Sequence, residues 1–217
     1  MIFGLSFHWL GKYVSFYVEG LLMTVQLALC AVALGTIFGT LVGLMRLSRN
    51  KPLVFFATAW VDFIRGVPVI LQIYIIYYGL SLNIPDFWAA VISLTVNSSA
   101  YIGETVRAGI QAVDKGQMEA ARCIGMSYAK AMRLIIIPQA IKKIFPALGN
   151  EFIILIKNTS LVSIIGLHEL TYLSNTIRAN TYLAFEPLII TAIVYFSLTY
   201  ILKKALGVIE RRMSASD

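Results

Sequence analysis

Residues 20–45, GLLMTVQLALCAVALGTIFGTLVGLM, contain no charged residue in 26 positions. A helix needs about 20 apolar residues to cross the hydrocarbon core of a bilayer, so this stretch predicts a membrane-spanning helix. It is too long for the apolar region of a removable signal peptide, and only one basic residue, Lys12, precedes it. The stretch therefore predicts an integral membrane protein built from α-helices.

Apolar blocks recur along the rest of the chain, which is 59% hydrophobic and 13% charged. This composition excludes a soluble domain and predicts one transmembrane domain over residues 1–217. The aromatic residues of segment 1–18 predict an interfacial lead-in helix. A polar loop, about 114–137, separates spans three and four. The five predicted spans lie near residues 19–46, 54–80, 86–110, 138–165 and 185–206.

The net charge of +7 follows from the predicted topology. If the spans alternate in direction, fourteen of the eighteen basic residues fall on one side, after span one, around loop 114–137 and after span five. The positive-inside rule then predicts an outer N-terminus and a cytoplasmic C-terminus. The turn at residues 81–86 has no basic residue, which fits an outer loop. Membrane lipid, and not nucleic acid, is the partner that this charge pattern indicates.

Span three carries a polar stripe inside the membrane. Asn97, Tyr101 and Glu104 follow helical i, i+4, i+7 spacing, and Ser93 extends the same face. Polar side chains at this depth face other helices or a water-filled path, because exposure to lipid is costly. A hydrogen-bonded helix contact and a substrate contact both remain open.

Span two begins with a charged pair and a predicted bend. Asp62 and Arg65 are three positions apart and can pair on a helix, while Pro68 lacks an amide donor. Gln72 follows one turn later. These residues predict either a pathway element or, for Arg65, a simple anchor at the membrane interface.

Span four contains Pro138, Pro146 and Gly149, which predict an interrupted helix, and it ends in Lys157-Asn158-Thr159-Ser160. Irregular backbone at membrane depth is tolerated where it lines a cavity, and broken helices often form binding sites there. Lys157 can neutralise Glu104, contact a substrate carboxylate or extend to the interface.

Several functional classes have no support in the sequence. The chain has no phosphate-binding loop, no nucleophile with a matching base and no metal-ligand spacing, so we expect no catalytic site and no metal site. Five spans cannot divide into two equal halves, which weighs against a self-contained secondary transporter and favours a dimer. Gly35, Gly39 and Gly43 allow close helix approach, either within one chain or between two.

The loop between spans three and four contains a spaced motif. Its order is E-A-A, three residues, G, nine residues and I-x-I-P. This run resembles the EAA loop of permease subunits in bacterial ATP-binding cassette (ABC) importers, whose pattern has leucine at the position of Ile137. The residues that carry the resemblance are Glu119, Ala120, Ala121, Gly125, Ile135, Ile137 and Pro138.

Other segments resemble the permeases of polar amino-acid uptake, the histidine, glutamine and arginine type, from about residue 19 to residue 209. They include Phe63-Ile64-Arg65-Gly66-Val67-Pro68, Ser99-Ala100-Tyr101-Ile102-Gly103-Glu104 and Lys157-Asn158-Thr159-Ser160-Leu161. The resemblance implies the type I ABC importer permease fold, all-α with five transmembrane helices and a cytoplasmic coupling helix.

The resemblance also implies partners. Two permease subunits, identical or closely paralogous, form a pore in the bacterial inner membrane. A separate ATPase dimer binds ATP and Mg, so this chain is not itself an enzyme and carries no cofactor. An extracytoplasmic binding protein delivers the amino acid, and the pore alternates between inward-open and outward-open states. The residues expected to contact the ATPase are Glu119, Ala120, Ala121, Arg122, Gly125 and Tyr128.

Glu104 favours a cationic substrate such as arginine, lysine or histidine. If Lys157 neutralises Glu104, glutamine or another polar amino acid fits equally well. Two other classes compete: a carrier driven by an ion gradient, in which Glu104 and Asp62 take protons, and a scaffold that transports nothing. The predicted substrate residues are Arg65, Gln72, Asn97, Tyr101, Glu104, Lys157, Asn158, Thr159 and Ser160.

Overall fold

The computed structural model describes residues 6–79 and 84–214, which contain nine α-helices. No strand occurs among them. Two π-helical turns (Ile75–Gly79 and Met132–Ile136) and one 3₁₀ helix (Thr159–Ile165) extend or join helices. The helices are α1 (Leu10–Arg46), α2 (Lys51–Gly66), α3 (Val69–Tyr74), α4 (Asp86–Gln111), α5 (Lys115–Cys123), α6 (Tyr128–Ala131), α7 (Ile137–Asn158), α8 (Leu170–Thr181) and α9 (Glu186–Ser214).

Length and composition identify the helices that can cross a membrane. Within the described ranges, Leu10–Arg46, Tyr128–Ile165 and Glu186–Met213 qualify alone, and the broken pair Lys51–Gly66 and Val69–Gly79 adds a fourth span if its two parts are counted as one. The 26 residues of α4 extend about 39 Å, enough to span, but α4 is not among the helices that qualify. Its central polar side chains, including Ser98 and Asn97, lower its hydropathy. These side chains are buried, so a span here would not expose them to lipid.

The predicted lead-in helix at residues 1–18 is not a separate element. Residues 1–5 and 80–83, the latter overlapping the predicted outer loop 81–86, lie outside the described residues, and from Leu10 onward α1 runs unbroken to Arg46. Three aromatic side chains at and just before its start are buried, and they belong to one core cluster that consists of Trp9, Tyr13, Tyr17, Leu170 and Ile177. The position of this segment at the membrane interface stays a prediction.

The two predicted helix interruptions have different outcomes. Pro68 lies between α2 and α3, where its missing N–H is harmless at the start of a new helix. Pro146, in contrast, lies inside the continuous helix α7. Irregular backbone instead flanks α7, in the π-helical turn Met132–Ile136 just before Pro138 and in the 3₁₀ helix Thr159–Ile165. The predicted interruption is therefore wrong at Pro146 and Gly149, and an irregular turn is present beside Pro138.

The described residues form two compact units. The first unit contains the described residues within 1–32, 67–95 and 152–204. The second unit contains the described residues within 33–66, 96–151 and 205–217. Helices α1, α4, α7 and α9 contribute residues to both.

In the first unit, α1, α8 and α9 are joined by buried contacts. The Tyr17 hydroxyl donates to the Pro187 carbonyl over 3.0 Å, and the Thr191 hydroxyl donates to the same oxygen over 2.8 Å. The backbone at Leu170 approaches α1 so closely that a Cβ on Gly20 would lie 2.7 Å from its Cα. These contacts fix the start of α8 against α1 and α9.

In the second unit, the small residues of α1 pack against α4. A Cβ on Gly39 would lie 2.7 Å from the Ile102 Cβ and 2.9 Å from the Ser99 carbonyl oxygen. Gly35 and Gly43 also face α4 at short range. The glycine series therefore serves packing within the chain, one of the two alternatives that the sequence left open.

Candidate functional site

The predicted coupling loop, 114–137, contains two short helices. The Asp114 carboxylate caps α5 by accepting a hydrogen bond from the Gly116 N–H over 2.6 Å. The Ser127 hydroxyl caps α6 by accepting from the Lys130 N–H over 3.3 Å. Each helix therefore has a local start signal, because a capping side chain satisfies an amide that the helix leaves unpaired.

Gly125 makes the turn between these helices. Its φ of +84° lies in the left-handed region, which glycine adopts without steric penalty. The Met126 N–H donates to the Ala121 carbonyl over 3.1 Å, and the Gly125 N–H donates to the Arg122 carbonyl over 3.1 Å. These bonds close α5 and turn the chain into α6.

The outer surface of this loop differs in part from the prediction. Ile124 exposes 78% of its surface beside the predicted contact residues. Ala121, an expected contact with the ATPase, is buried and packs inside the protein. The predicted contact residues that are exposed are Glu119, Ala120, Arg122, Gly125 and Tyr128.

The carboxylate of Glu104 is held by two arginines. Arg46 of α1 and Arg107, one turn further along α4, both form ion pairs with it. Both partners are arginines rather than Lys157, the neutralising residue that the sequence suggested. Two guanidinium groups beside one carboxylate leave this cluster with a net positive charge, which repels a cationic ligand, so the pairing gives the substrate assignment of Glu104 no support.

Arg65 and Tyr101 are brought together in the second unit. The guanidinium carbon of Arg65 lies 5.4 Å from the centroid of the Tyr101 ring, within the range of a cation–π contact. Arg65 forms no ion pair with Asp62. Asn97, on the same helix as Tyr101, is buried. Of the predicted residues here, Arg65 and Tyr101 remain accessible to a ligand.

In the first unit, α3 contacts the 3₁₀ helix Thr159–Ile165. The Gln72 side-chain amide is buried and donates to the Val67 carbonyl over 2.8 Å. The Thr159 hydroxyl is also buried and donates to the Ile156 carbonyl over 2.7 Å. Both side chains therefore stabilise the local backbone.

The remaining residues of this group are more accessible. Lys157 is exposed and forms no ion pair with the described part of the chain. Asn158 and Ser160 are half-buried, and the Ser160 hydroxyl donates to the Lys157 carbonyl over 2.7 Å. Lys157 is thus the charged group that this segment offers to a ligand.

Glu151 is a candidate that the sequence-based prediction did not include. It lies on α7 with 9% of its surface exposed, and it forms no ion pair or hydrogen bond with the described residues. Ionisable side chains inside membrane helices are rare and usually mark a substrate or ion path. The signal was present in the sequence, because Glu151 is the single charged residue between Lys143 and Lys157.

No group of three or more His, Cys, Asp or Glu side chains in residues 6–79 and 84–214 is placed to hold a metal ion.

Comparisons with known proteins find close relatives over nearly the whole chain. A family model described as "Binding-protein-dependent transport system inner membrane component" matches residues 35–215. The arginine transport system permease protein ArtQ of Bacillus subtilis (strain 168) is 38% identical over 208 residues, 94% of this chain and 95% of that protein. The probable glutamine ABC transporter permease protein GlnM of the same organism is 39% identical over 205 residues, covering 93% and 95%.

One solved structure is similar in both sequence and fold. A chain in the crystal structure of an amino acid ABC transporter with histidines is 47% identical to this chain, with a TM-score of 0.93. The match covers 97% of this chain and 100% of that one.

Proposed function

Because this chain belongs to the family of inner-membrane components of binding-protein-dependent transport systems, we propose that it forms half of the pore of an ATP-driven importer for a basic amino acid. Membership confirms the family resemblance and the all-helical importer fold that the sequence predicts. It also weighs against the ion-gradient carrier and the scaffold. A separate ATPase dimer with bound ATP and Mg, an extracytoplasmic binding protein and a second permease subunit, identical or paralogous, complete the importer.

The proposed orientation places the N-terminus outside and the C-terminus and loop 114–137 in the cytoplasm of a bacterial cell. Its support is the distribution of basic residues, which concentrate in segments that would share one side. In this orientation the turn between α8 and α9 lies outside.

We assign contact with the ATPase to the outer surface of loop 114–137. Ile124 and Tyr128 expose 78% and 57% of their surfaces beside the charged side chains of Glu119 and Arg122. Large apolar side chains exposed within a polar loop are typical of a docking surface. The buried side chain of Ala121 packs α5 against the protein, and Gly125 forms the turn between α5 and α6.

The observation that carries the basic-substrate proposal is the buried carboxylate of Glu151 without an ion pair. A buried charge is costly when unpaired, and a cationic substrate side chain supplies the missing partner. Arg65, exposed on the Tyr101 ring, is the residue that we assign to the substrate carboxylate. The relative named for arginine and the crystal structure with histidines agree with a cationic substrate.

Glutamine is the second candidate. The relative named for glutamine is as similar to this chain as the one named for arginine, at 39% against 38% identity. A neutral side chain needs no counter-charge, so glutamine transport would not depend on the charge of Glu151.

ATP-dependent uptake in proteoliposomes tests both candidates. The complete importer with its ATPase and binding protein is supplied with labelled arginine, lysine, histidine or glutamine. We expect uptake of a basic amino acid, and we expect Glu151→Gln to raise the KM for that substrate at least tenfold. Glu19→Gln is the matched control, because Glu19 is exposed and forms no ion pair in the described chain.

Each outcome has a defined meaning. An unchanged KM in Glu151→Gln removes this carboxylate from the substrate site. Uptake of glutamine alone by the unmodified importer replaces the basic-substrate proposal with the second candidate. Uptake that continues without ATP contradicts the importer itself.

A further inference from the structure

The turn between α8 and α9 presents an exposed tyrosine on an unusual backbone. Tyr182 exposes 94% of its surface and has φ of +57° and ψ of 16°. It is the one non-glycine residue with positive φ in the described part of the chain. Glycine would adopt this conformation without strain, so a tyrosine here points to a use for its ring outside the chain.

The neighbours of Tyr182 hold it in a fixed place. The Thr181 hydroxyl donates to the Ile177 carbonyl over 2.7 Å and accepts from the Leu183 N–H over 3.4 Å. Leu183 packs against the buried aromatic cluster of the first unit. The exposed ring is therefore attached to a well-packed base, and little conformational freedom is lost when a partner covers it.

An open cleft of about 470 Å³ lies beside this ring. We call this surface the Tyr182 cleft, and its lining residues are Asn175, Arg178, Ala179, Tyr182, Leu183 and Ala184. The Arg178 guanidinium donates one hydrogen bond, from Nη1 to the Asn175 side-chain oxygen over 3.0 Å. Its Nε is buried without an acceptor, and Arg178 forms no ion pair among residues 6–79 and 84–214.

An arginine with few partners favours a carboxylate, which can accept two parallel N–H bonds from one guanidinium group. An exposed tyrosine favours an apolar pocket with a polar group near its hydroxyl. Tyrosine and arginine are also the residue types that most often dominate the energy of protein interfaces. The cleft therefore fits a protein surface that presents a carboxylate beside an apolar pocket.

We propose that the Tyr182 cleft is a docking site for the extracytoplasmic binding protein. This inference rests on the proposed function, which supplies such a partner and places the α8–α9 turn outside the membrane. Tyr182 inserts into the binding protein, and Arg178 pairs with one of its carboxylates. The contact recognises the binding protein itself and not the amino acid that it carries.

The test measures ATPase activity of the reconstituted importer as the loaded binding protein is titrated. Tyr182→Gly removes the ring and relaxes the backbone, so we expect at least a tenfold rise in the half-maximal binding-protein concentration. Basal ATPase activity and Tm should stay the same or rise. Tyr182→Phe keeps the ring and should stay within threefold of the unmodified importer. An unchanged titration for Tyr182→Gly overturns the proposal.

Two further measurements identify the partner. A benzophenone amino acid at position 182 should crosslink to the binding protein, whereas a crosslink to a second permease copy overturns the proposal.

Raising NaCl from about 50 to 500 mM should weaken docking of the unmodified importer more than docking of Arg178→Gln, because charge pairs at interfaces are screened by salt. Normal ATP-driven uptake with unaltered docking of Tyr182→Gly defeats this inference alone, whereas absence of uptake by the unmodified importer defeats the proposed function as well.

Discussion

The Tyr195 hydroxyl donates a hydrogen bond to the Glu169 carboxylate over 2.9 Å and so joins α9 to the N-cap residue of α8. Glu169 is fully buried and also accepts from the N–H groups of Thr171 and Tyr172 over 2.9 and 2.8 Å. Burial raises the pKa of Glu169 to about 7, although these hydrogen bonds favour the charged form. The described chain provides no cation that pairs with this carboxylate.

We predict that Glu169 makes the folded protein less stable as pH rises. Its pKa in the folded state, about 7, lies above the ordinary value of 4.5, so the folded state retains a proton that the unfolded state has lost. The contribution is fully present below about pH 4.5 and disappears as pH rises through about 7, a difference of about 3 kcal/mol. Tm in detergent should therefore fall from pH 5 to pH 7.5 more steeply for the unmodified protein than for Glu169→Gln. Parallel curves for the two proteins would contradict the prediction.

The ion pairs of Glu104 lead to a second prediction. Glu104→Gln should lower the free energy of unfolding by about 2 kcal/mol, between the values typical of exposed and buried pairs, because two partly buried arginines lose their anion. The KM for the transported amino acid should stay within twofold. A double-mutant cycle with Arg46→Gln measures the pairing directly. A raised KM at unchanged Tm would instead return Glu104 to the substrate site.

The close approach of α1 and α4 at Gly39 is tested by adding one methyl group. Gly39→Ala places a Cβ 2.7 Å from the Ile102 Cβ and 2.9 Å from a backbone oxygen, so it should destabilise the protein by about 1–3 kcal/mol. Gly207→Ala is the matched control, because the helical site in α9 has nothing within 4 Å of the new Cβ. The control should stabilise the helix by about 0.5–1 kcal/mol. Equal Tm values for the two variants would show that the helices can separate at Gly39.

The left-handed turn at Gly125 leads to the last prediction. Gly125→Ala meets no steric obstacle from neighbours but strains the backbone by about 1–2 kcal/mol, because its φ is +84°. We expect it to shift the turn between α5 and α6 and to reduce ATP-driven uptake at least fivefold while the complex still assembles. Gly125→Asn should retain most activity, since asparagine tolerates this conformation. Equal uptake by the two variants would show that coupling to the ATPase does not depend on the backbone conformation at position 125.

Much of the fold could be predicted from local sequence. Helix α4 starts at Asp86 and the chain is interrupted at Pro68, two positions that the sequence marks by a change in hydropathy and by a missing N–H, because both act on nearby residues. Pro146 could not be interpreted in the same way. Whether a proline breaks a membrane helix depends on neighbouring groups that satisfy the freed carbonyl, and those neighbours are distant in the chain.

The candidate site shows the same division. The loop at residues 114–137 could be identified from the spacing of its motif. The burial of Ala121 could not, because packing against the rest of the protein determines which face of a short helix is buried. Glu104 was assigned to a substrate because its two arginine partners were unknown. Glu151 was not predicted as a substrate residue, although the structure shows it buried without an ion pair in the described chain.

Local sequence was enough to predict that this protein crosses a membrane as helices, where its polar loop lies and which family it belongs to. The first two depend on the free energy of transferring short segments into lipid, and the third depends on motifs of fixed spacing. Which charges pair, which glycines pack between helices and which aromatic side chains are exposed became known from the folded chain. Arg46 and Glu104 are 58 positions apart, and no local pattern specifies a contact that arises when distant helices pack together.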